Sequence, residues 1–410
     1  MSTTESDTSS EETPARTSAA GGLPRSVLVL MAVACGLSVA GNYFAQPLVE
    51  AIRSDLGVSA TVAALVVTAA QAGYALGLVF LVPLGDLLER RKLAVALTAL
   101  TALLLAVTSA AWNGPMLLVG TTLTGLFSVA AQVVVPYAAT LAAPEERGRA
   151  VGTVMSGLLL GILLSRTVAG FLAEVGTWRT VYWVNAILMA LMAVTLWKVL
   201  PALRAPSGLR YPALLRSTAT LLRTEPVLRL RCAMGFLAFA AFGVLWTALG
   251  FVLASPPYGW SEGAIGLFGL VGAAGAAMAI SAGRLADRGY VHRVSGAGAA
   301  LLALSWLPMA AGKSSLAALL IGVIVLDLAV QAVHISNQNI VYALRPEARN
   351  RLNSAYMTSY FLGGALGSAI TSTVRVDYGW SGVCLLGAIV SVLGVLVWIV
   401  DRVRARSYPR

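Results

Sequence analysis

Charge is what this 410-residue chain lacks most: 11% of its residues are Asp, Glu, Lys or Arg, against about 25% in a soluble globular protein. Groups that do chemistry are equally scarce. The chain has two histidines and three cysteines, and Cys35, Cys232 and Cys384 sit inside apolar runs at no metal or disulfide spacing. No G-x-x-x-x-G-K-[ST] loop is present, which excludes an ATP-driven pump within this chain. Nothing resembles a nucleophile elbow. These absences point away from an enzyme and imply no cofactor and no metal.

Hydrocarbon takes their place. The chain is 58% hydrophobic with 40 glycines and a mean hydropathy of +0.80, the composition of an all-α, multi-pass membrane protein. Runs near the 20 residues that a bilayer core requires predict twelve spans, with cores near 27–49, 61–83, 93–112, 115–141, 150–173, 180–199, 232–254, 263–283, 294–312, 316–341, 350–373 and 380–400. Two neighbouring pairs are separated only by Asn113-Gly114-Pro115 and by Gly312-Lys313. Each combined run is too long for one span, and each break has turn chemistry. Residues 1–22, rich in Ser, Thr and Glu without an apolar run, read as a disordered tail rather than a signal peptide.

The formal net charge of +11 would suggest nucleic acid if the charges were clustered on one soluble face. Instead they follow the spans. With a cytoplasmic N-terminus, twenty-four basic residues fall on the inner side and four, Arg53, Arg179, Lys313 and Arg375, on the outer side. That bias supports the span count, cytoplasmic termini and a location in the cytoplasmic (inner) membrane. Anionic lipid headgroups then account for the basic loops without a nucleic-acid partner.

The chain also repeats itself. Pro144-Glu145 returns as Pro346-Glu347 and Trp178 as Trp380, each 202 residues on, while Asp86 returns as Asp287 after 201. The offset equals six spans, so residues 23–199 and 232–400 read as two parallel six-helix halves. A basic cytoplasmic linker, 200–231, joins them, and a basic tail, 401–410, follows.

The loop after the eighth span, Gly283-Arg284-Leu285-Ala286-Asp287-Arg288-Gly289, resembles the G-x-L-A-D-R signature of the major facilitator superfamily. Its counterpart, Leu84-Gly85-Asp86-Leu87-Leu88-Glu89-Arg90-Arg91, keeps the acid and the basic cluster. With twelve spans and the repeat, the resemblance covers nearly the whole chain. The layout is similar to bacterial twelve-span drug:proton antiporters and their sugar-efflux relatives. It implies the superfamily fold and a monomeric secondary transporter that expels a drug-like or sugar-like solute in exchange for protons. It also implies a gate on the cytoplasmic side built from Asp86, Arg90, Arg91, Gly283, Asp287 and Arg288, in which each acid pairs with nearby arginines and a helix N-terminus. Two positions depart from the family pattern. Thr121 stands where proton-coupled relatives carry an arginine in the fourth span, and the fifth span, Gly157 to Arg166, lacks the proline and final glycine pair of the antiporters.

The candidate site lies in the spans themselves. Asp327, Gln331, His334 and Gln338 interrupt an apolar run at spacings that stack them on one helix face, and a polar stripe faces water, a partner helix or a ligand rather than lipid. Arg166 is the one basic residue that falls deep in a span, and Asp327 the one acid. Counted from the span ends, at 1.5 Å per residue, their depths are roughly 24 Å and 16 Å from opposite faces, which agree within a turn or two in a bilayer. An inter-half pair whose release follows protonation of Asp327 would couple protons to conformational change; a permanent structural ion pair is the alternative. His334 is a second candidate proton carrier. Asn42, Tyr43, Gln46, Gln71, Tyr74, Thr124, Ser128, Gln132, Trp246, Tyr356 and Tyr360 are expected to complete a cavity for an uncharged or weakly polar solute. A proton-coupled importer, a uniporter or a non-transporting sensor remain the competing readings.

Overall fold

A computed structural model describes residues 24–143, 146–203, 210–272, 281, 285, 288–345 and 349–407. The expected tail over 1–22 and two gate residues, Gly283 and Asp287, lie outside the described residues.

The described residues contain no strand. Nine helices among them are long and apolar enough to cross a membrane, and a tenth crossing is made by Arg25–Ala40 and Ala45–Leu56, bent by 42°. One of the nine, Arg351–Arg404, is 54 residues long. It is two spans read as one, because Gly379 at φ 62° and ψ −153° breaks the helix between them. The eighth span begins as Glu262–Phe268, continues as the turn Gly269–Gly272 and then leaves the described residues. This inventory is consistent with the twelve spans.

The short breaks form for the reasons their residues suggest. Asn113 accepts the Met116 amide at 2.8 Å, and Pro115 occupies the first turn of Gly114–Phe127, so only residues 110–113 separate the fourth span from the third, Arg90–Ser109. Gly57, at φ 60°, closes the first span in the left-handed conformation that a glycine adopts without steric cost. Ser59 then caps the second span, Ala60–Phe80. At Gly312-Lys313 a short turn of 3-10 helix ends the ninth span, and Ser315 caps the tenth, Leu316–Leu344.

Packing inside the molecule is set by small residues, while large apolar side chains such as Leu103, Val119, Leu191 and Leu385 remain exposed around the outside. For a soluble protein that surface would be a defect; against lipid it is the solvated face. Glycines at small-xxx-small spacing, Gly157 with Gly161 and Gly363 with Gly367, act within each half. A Cβ on Gly36 would lie 2.8 Å from the Gly157 carbonyl, and Gly161 abuts the Gly36 backbone, joining the first and fifth spans. Gly363 and Gly367 press in the same way on the backbone of Phe236 and Ala240 in the seventh span, Pro226–Ala254.

Between the halves, contact is heavy toward the face opposite the basic loops. Gly170 of the fifth span, Arg147–Val175, lies against the backbone of Glu262 and Gly263, and Thr167 donates to the Gly266 carbonyl at 3.0 Å. Glu174 accepts the Gly263 amide at 3.2 Å. Thr68, Ser368 and Thr247 form a hydroxyl chain at 2.9 and 2.8 Å that ties the second, eleventh and seventh spans.

The connection between the halves is more ordered than a charged linker. It holds the helix Tyr211–Thr224, whose Leu214 and Leu221 are buried and whose Tyr211 hydroxyl donates to the Phe80 carbonyl at 2.8 Å. Arg231, counted among the basic linker residues, belongs inside the seventh span. It is fully buried, paired with Asp401 of the twelfth span, and donates to Asn337 of the tenth at 3.4 Å. Arg166 and Asp327 are therefore not the only charges enclosed by helices. Near a span end the arginine found a partner inside the bundle instead of reaching outward to headgroups.

Candidate functional site

A cavity of about 630 Å³ runs between the halves. One end is at Arg90, Thr140, Tyr342 and Asn353, on the basic-loop side; the other is at Arg166 and Asp327. The volume falls within the roughly 300–1,000 Å³ of small-molecule sites.

Arg166 reaches this position because the eighth span has no side chain opposite it: a Cβ on Gly269 would lie 2.7 Å from the Arg166 Cβ. Its Nε donates to Gln46 Oε1 at 2.5 Å and its Nη1 to the Ile162 carbonyl at 3.4 Å, while the buried Nη2 has no partner. The guanidinium lies over the Trp246 ring at 4.0 Å and near the Tyr43 and Phe242 rings at 4.9 and 5.6 Å. Ring faces of this kind offset part of the cost of burying the cation.

Asp327 holds the opposite charge but is not its direct partner. The described ion pairs, taken at 4.0 Å or less, include none between Arg166 and Asp327. Asp327 Oδ1 accepts from the indole N–H of Trp246 at 3.3 Å. The inter-half pair expected from matched depths is thus a three-membered arrangement: the arginine stacks on the indole, and the indole donates to the acid. Depth along the membrane normal does not determine position around it, and Trp246 occupies the intervening space.

Of the other expected residues, Tyr43, Tyr74, Gln132, Gln331, His334, Gln338 and Tyr360 line the cavity. Gln132 donates to the Tyr74 hydroxyl at 3.3 Å and Gln338 approaches Met357 Sδ at 3.8 Å. His334 Nδ1 lies 3.1 Å from the Tyr356 hydroxyl and its ring packs on Tyr360 at 4.5 Å.

Seven others are not in the wall, for identifiable reasons. Thr124 meets Thr108 of the third span at 3.3 Å, and Ser128 donates to the Thr124 carbonyl of its own span at 2.7 Å while its carbonyl accepts from Ser38 of the first; both hydroxyls are satisfied away from the cavity. Gln46 and Trp246 stand behind the cavity as partners of Arg166 and Asp327, and Tyr356 stands behind His334. Asn42 and Gln71 are buried away from the lining, with Asn42 Nδ2 and Oδ1 and Gln71 Oε1 unpaired.

Sequence reading missed the aromatic wall. Phe239 stacks on Phe242 at 5.0 Å and on Tyr360 at 4.0 Å, and Phe361 packs on Tyr74 at 4.3 Å. In the sequence these phenylalanines are indistinguishable from lipid-facing residues. The i, i+3 spacing of Phe239 and Phe242, continued four residues on by Trp246, was the available signal.

The expected gate is only partly described. Arg90 donates to the Pro136 carbonyl at 3.1 Å and to Thr140 at 2.7 Å, and Arg91 pairs with Glu89 at 3.3 Å and lies over Trp197 at 4.9 Å. Asp86 is half-buried and, among the described residues, forms no ion pair; it shares a small pocket with Arg90 and with Arg351 of the eleventh span. Arg288 is exposed.

Known proteins place this architecture. The family model described as Major Facilitator Superfamily matches residues 31–290 and 231–410. The Uncharacterized transporter YgaY of Escherichia coli O157:H7 is 53% identical over 376 residues, covering 92% of this chain and 95% of the relative. The Inner membrane transport protein YnfM of Escherichia coli K12 is 26% identical over 389 residues, covering 92% and 91%. The crystal structure of the nucleoside transporter NupG superposes with a TM-score of 0.75 at 13% identity, over 91% of this chain and 98% of that one. The chain therefore belongs to the Major Facilitator Superfamily and is a multi-pass membrane transporter.

Proposed function

We propose that this transporter moves a small organic solute across the bacterial inner membrane by alternating access, with both termini in the cytoplasm, and that a proton carried by Asp327 drives it. The observation that carries the reading is the end of the cavity, where a buried acid and a buried arginine from opposite halves share one tryptophan. Protonation of Asp327 removes the negative charge that strengthens the bond from the indole N–H, loosens Trp246 and so changes the support beneath Arg166. A local charge change thereby acts on the contact between halves. The named location of the YnfM relative and the basic loops support the inner membrane, and anionic headgroups provide those loops with their counter-charges. A single chain holds the whole cavity, as a working monomer requires.

Two coupling modes fit this site. Resemblance to the drug:proton antiporters favours efflux, with proton and solute occupying the site alternately. Uptake follows if both are carried together. Reconstituted protein under an imposed pH gradient, screened with drug-like, sugar-like and organic-acid solutes, tests the reading. Asp327→Asn is expected to retain solute exchange between equilibrated compartments while losing accumulation driven by the gradient. Full gradient-driven transport by that variant would refute proton coupling at Asp327.

A further inference from the structure

We infer that the solute is an aromatic organic anion, its carboxylate held by Arg166 and its ring by the phenylalanine wall, and that it is carried together with a proton on Asp327. The inference rests on the proposed function and selects co-transport over exchange.

Charge comes first. Among the described residues lining the cavity, the groups of fixed formal charge are Arg90, Arg166 and Asp327. The wall is thus positive by one while Asp327 is ionised and by two once it is protonated. A cationic solute would enter against that excess; an anion enters with it. The end of the cavity away from the basic loops also has a group needing a partner. Arg166 is 3% exposed, and its Nη2 has no hydrogen-bond partner. A planar carboxylate matches a guanidinium edge in a way that a hydroxyl or an ammonium does not.

The body of the solute follows from the walls. Phe242, Phe239 and Tyr360 form a run of near-parallel rings, with interplanar angles of 12° and 19°. Phe361 packs edge-on against Phe239 at 5.2 Å and carries the wall on to Tyr74 of the other half at 4.3 Å. A continuous aromatic wall favours a solute with an aromatic ring, and Gln132, Gln331 and Gln338 toward the basic-loop end provide neutral hydrogen bonds for a ring substituent.

The proton follows from Asp327. It shares the indole of Trp246 with Arg166, and the titratable groups around it are Arg166 of the fifth span, Tyr43 of the first, Tyr360 of the eleventh and His334 on its own helix. A second carboxylate placed on Arg166 would stand beside this acid. Two carboxylates sharing one cation favour protonation of one of them, so anion binding draws a proton from bulk water onto Asp327. The cavity then carries the anion and its compensating proton together.

Calorimetry on the purified full chain in detergent tests this with three shape-matched probes, 3-phenylpropionate, 3-phenylpropionamide and 3-phenylpropylamine. Expected is at least tenfold tighter binding of the carboxylate than of the amide or the amine. In buffers of different ionisation enthalpy, carboxylate binding is expected to take up a proton, and Asp327→Asn to abolish that uptake while the carboxylate still binds. Arg166→Gln is expected to remove the preference for the carboxylate over the amide; Arg166→Lys, which retains the charge, keeps part of it. Amine or amide binding as tight as carboxylate binding overturns the inference, as does failure of all three probes to bind. So does carboxylate binding without proton uptake. Gradient-driven transport of a neutral or cationic solute that is lost in Asp327→Asn would leave the proton-coupled reading intact while refuting the anion.

Discussion

Gly266→Ala should push this transporter out of the conformation described above, and the size of the push follows from backbone geometry. A Cβ at Gly266 would lie 2.6 Å from the Arg166 carbonyl oxygen, 3.1 Å from Gly170 Cα and 3.3 Å from Gly170 N. All three neighbours are main-chain atoms of the fifth span, so no side chain can swing aside. The spans must separate, and Thr167 would be drawn away from the Gly266 carbonyl it now reaches at 3.0 Å. Overpacking of this kind costs about 1–3 kcal/mol, and about 1.4 kcal/mol corresponds to a tenfold change in an equilibrium. The clash exists only where the fifth and eighth spans touch, so conformations that part them on this face should gain about 5- to 150-fold in population. Spin labels at Trp112→Cys and Tyr378→Cys, two exposed positions on this face in opposite halves, report the separation; the native cysteines are buried. Expected is a longer-distance population that grows in the variant. Gly157→Ala is the control: its Cβ meets the Ala32 backbone within one half, so it should lower the melting temperature without lengthening that distance. An unchanged distance distribution in Gly266→Ala, or the same change in Gly157→Ala, would refute the assignment of this contact as a moving seam.

Three further outcomes follow from single contacts. Trp246→Phe keeps a ring beneath Arg166 but loses the 3.3 Å hydrogen bond to Asp327, a charge-assisted bond worth about 1.5–3 kcal/mol; solute binding by calorimetry should change less than threefold while gradient-driven accumulation falls by at least tenfold. Arg231→Gln takes the buried arginine from Asp401 and leaves it the more exposed Arg402 at 3.1 Å, at a cost below the roughly 3–5 kcal/mol of a fully broken buried pair; the melting temperature in detergent should drop, and the double variant Arg231→Met with Asp401→Leu should recover most of it. Glu174→Ala removes the carboxylate that accepts the Gly263 amide at the start of the eighth span, an interaction of about 0.3–1 kcal/mol; the same spin-label distance should lengthen, by less than in Gly266→Ala.

The parts of this molecule that were legible in its sequence are those with a period or a balance. Lipid solvates nothing but apolar surface, so span lengths and turn residues such as Asn113 and Gly312 show in the composition itself. The stripe of Asp327, Gln331, His334 and Gln338 was visible because four polar residues on one helix face have no other tolerable place to go, and all four line the cavity. Phe239, Phe242 and Phe361 were invisible for the converse reason: an aromatic ring is equally acceptable to lipid and to a solute, so burial alone separates the two. Thr124 and Ser128 misled because a hydroxyl can be satisfied by a neighbouring helix or by its own helix's carbonyls without facing a cavity, as Thr124 is by Thr108 and Ser128 by the Thr124 carbonyl. The relation of Arg166 to Asp327 lies between these cases. Helical rise places both charges at one depth, yet nothing one-dimensional specifies the angle at which two helices face each other. Where their angles left a gap, the indole of Trp246 fills it, with one polar atom for the acid and one ring face for the cation. An ion pair would hold the halves together until one charge disappeared. An indole between them passes a change of charge on the acid to the ring beneath the cation, and because no acid holds the guanidinium directly, the unpartnered Nη2 of Arg166 stays open to a solute.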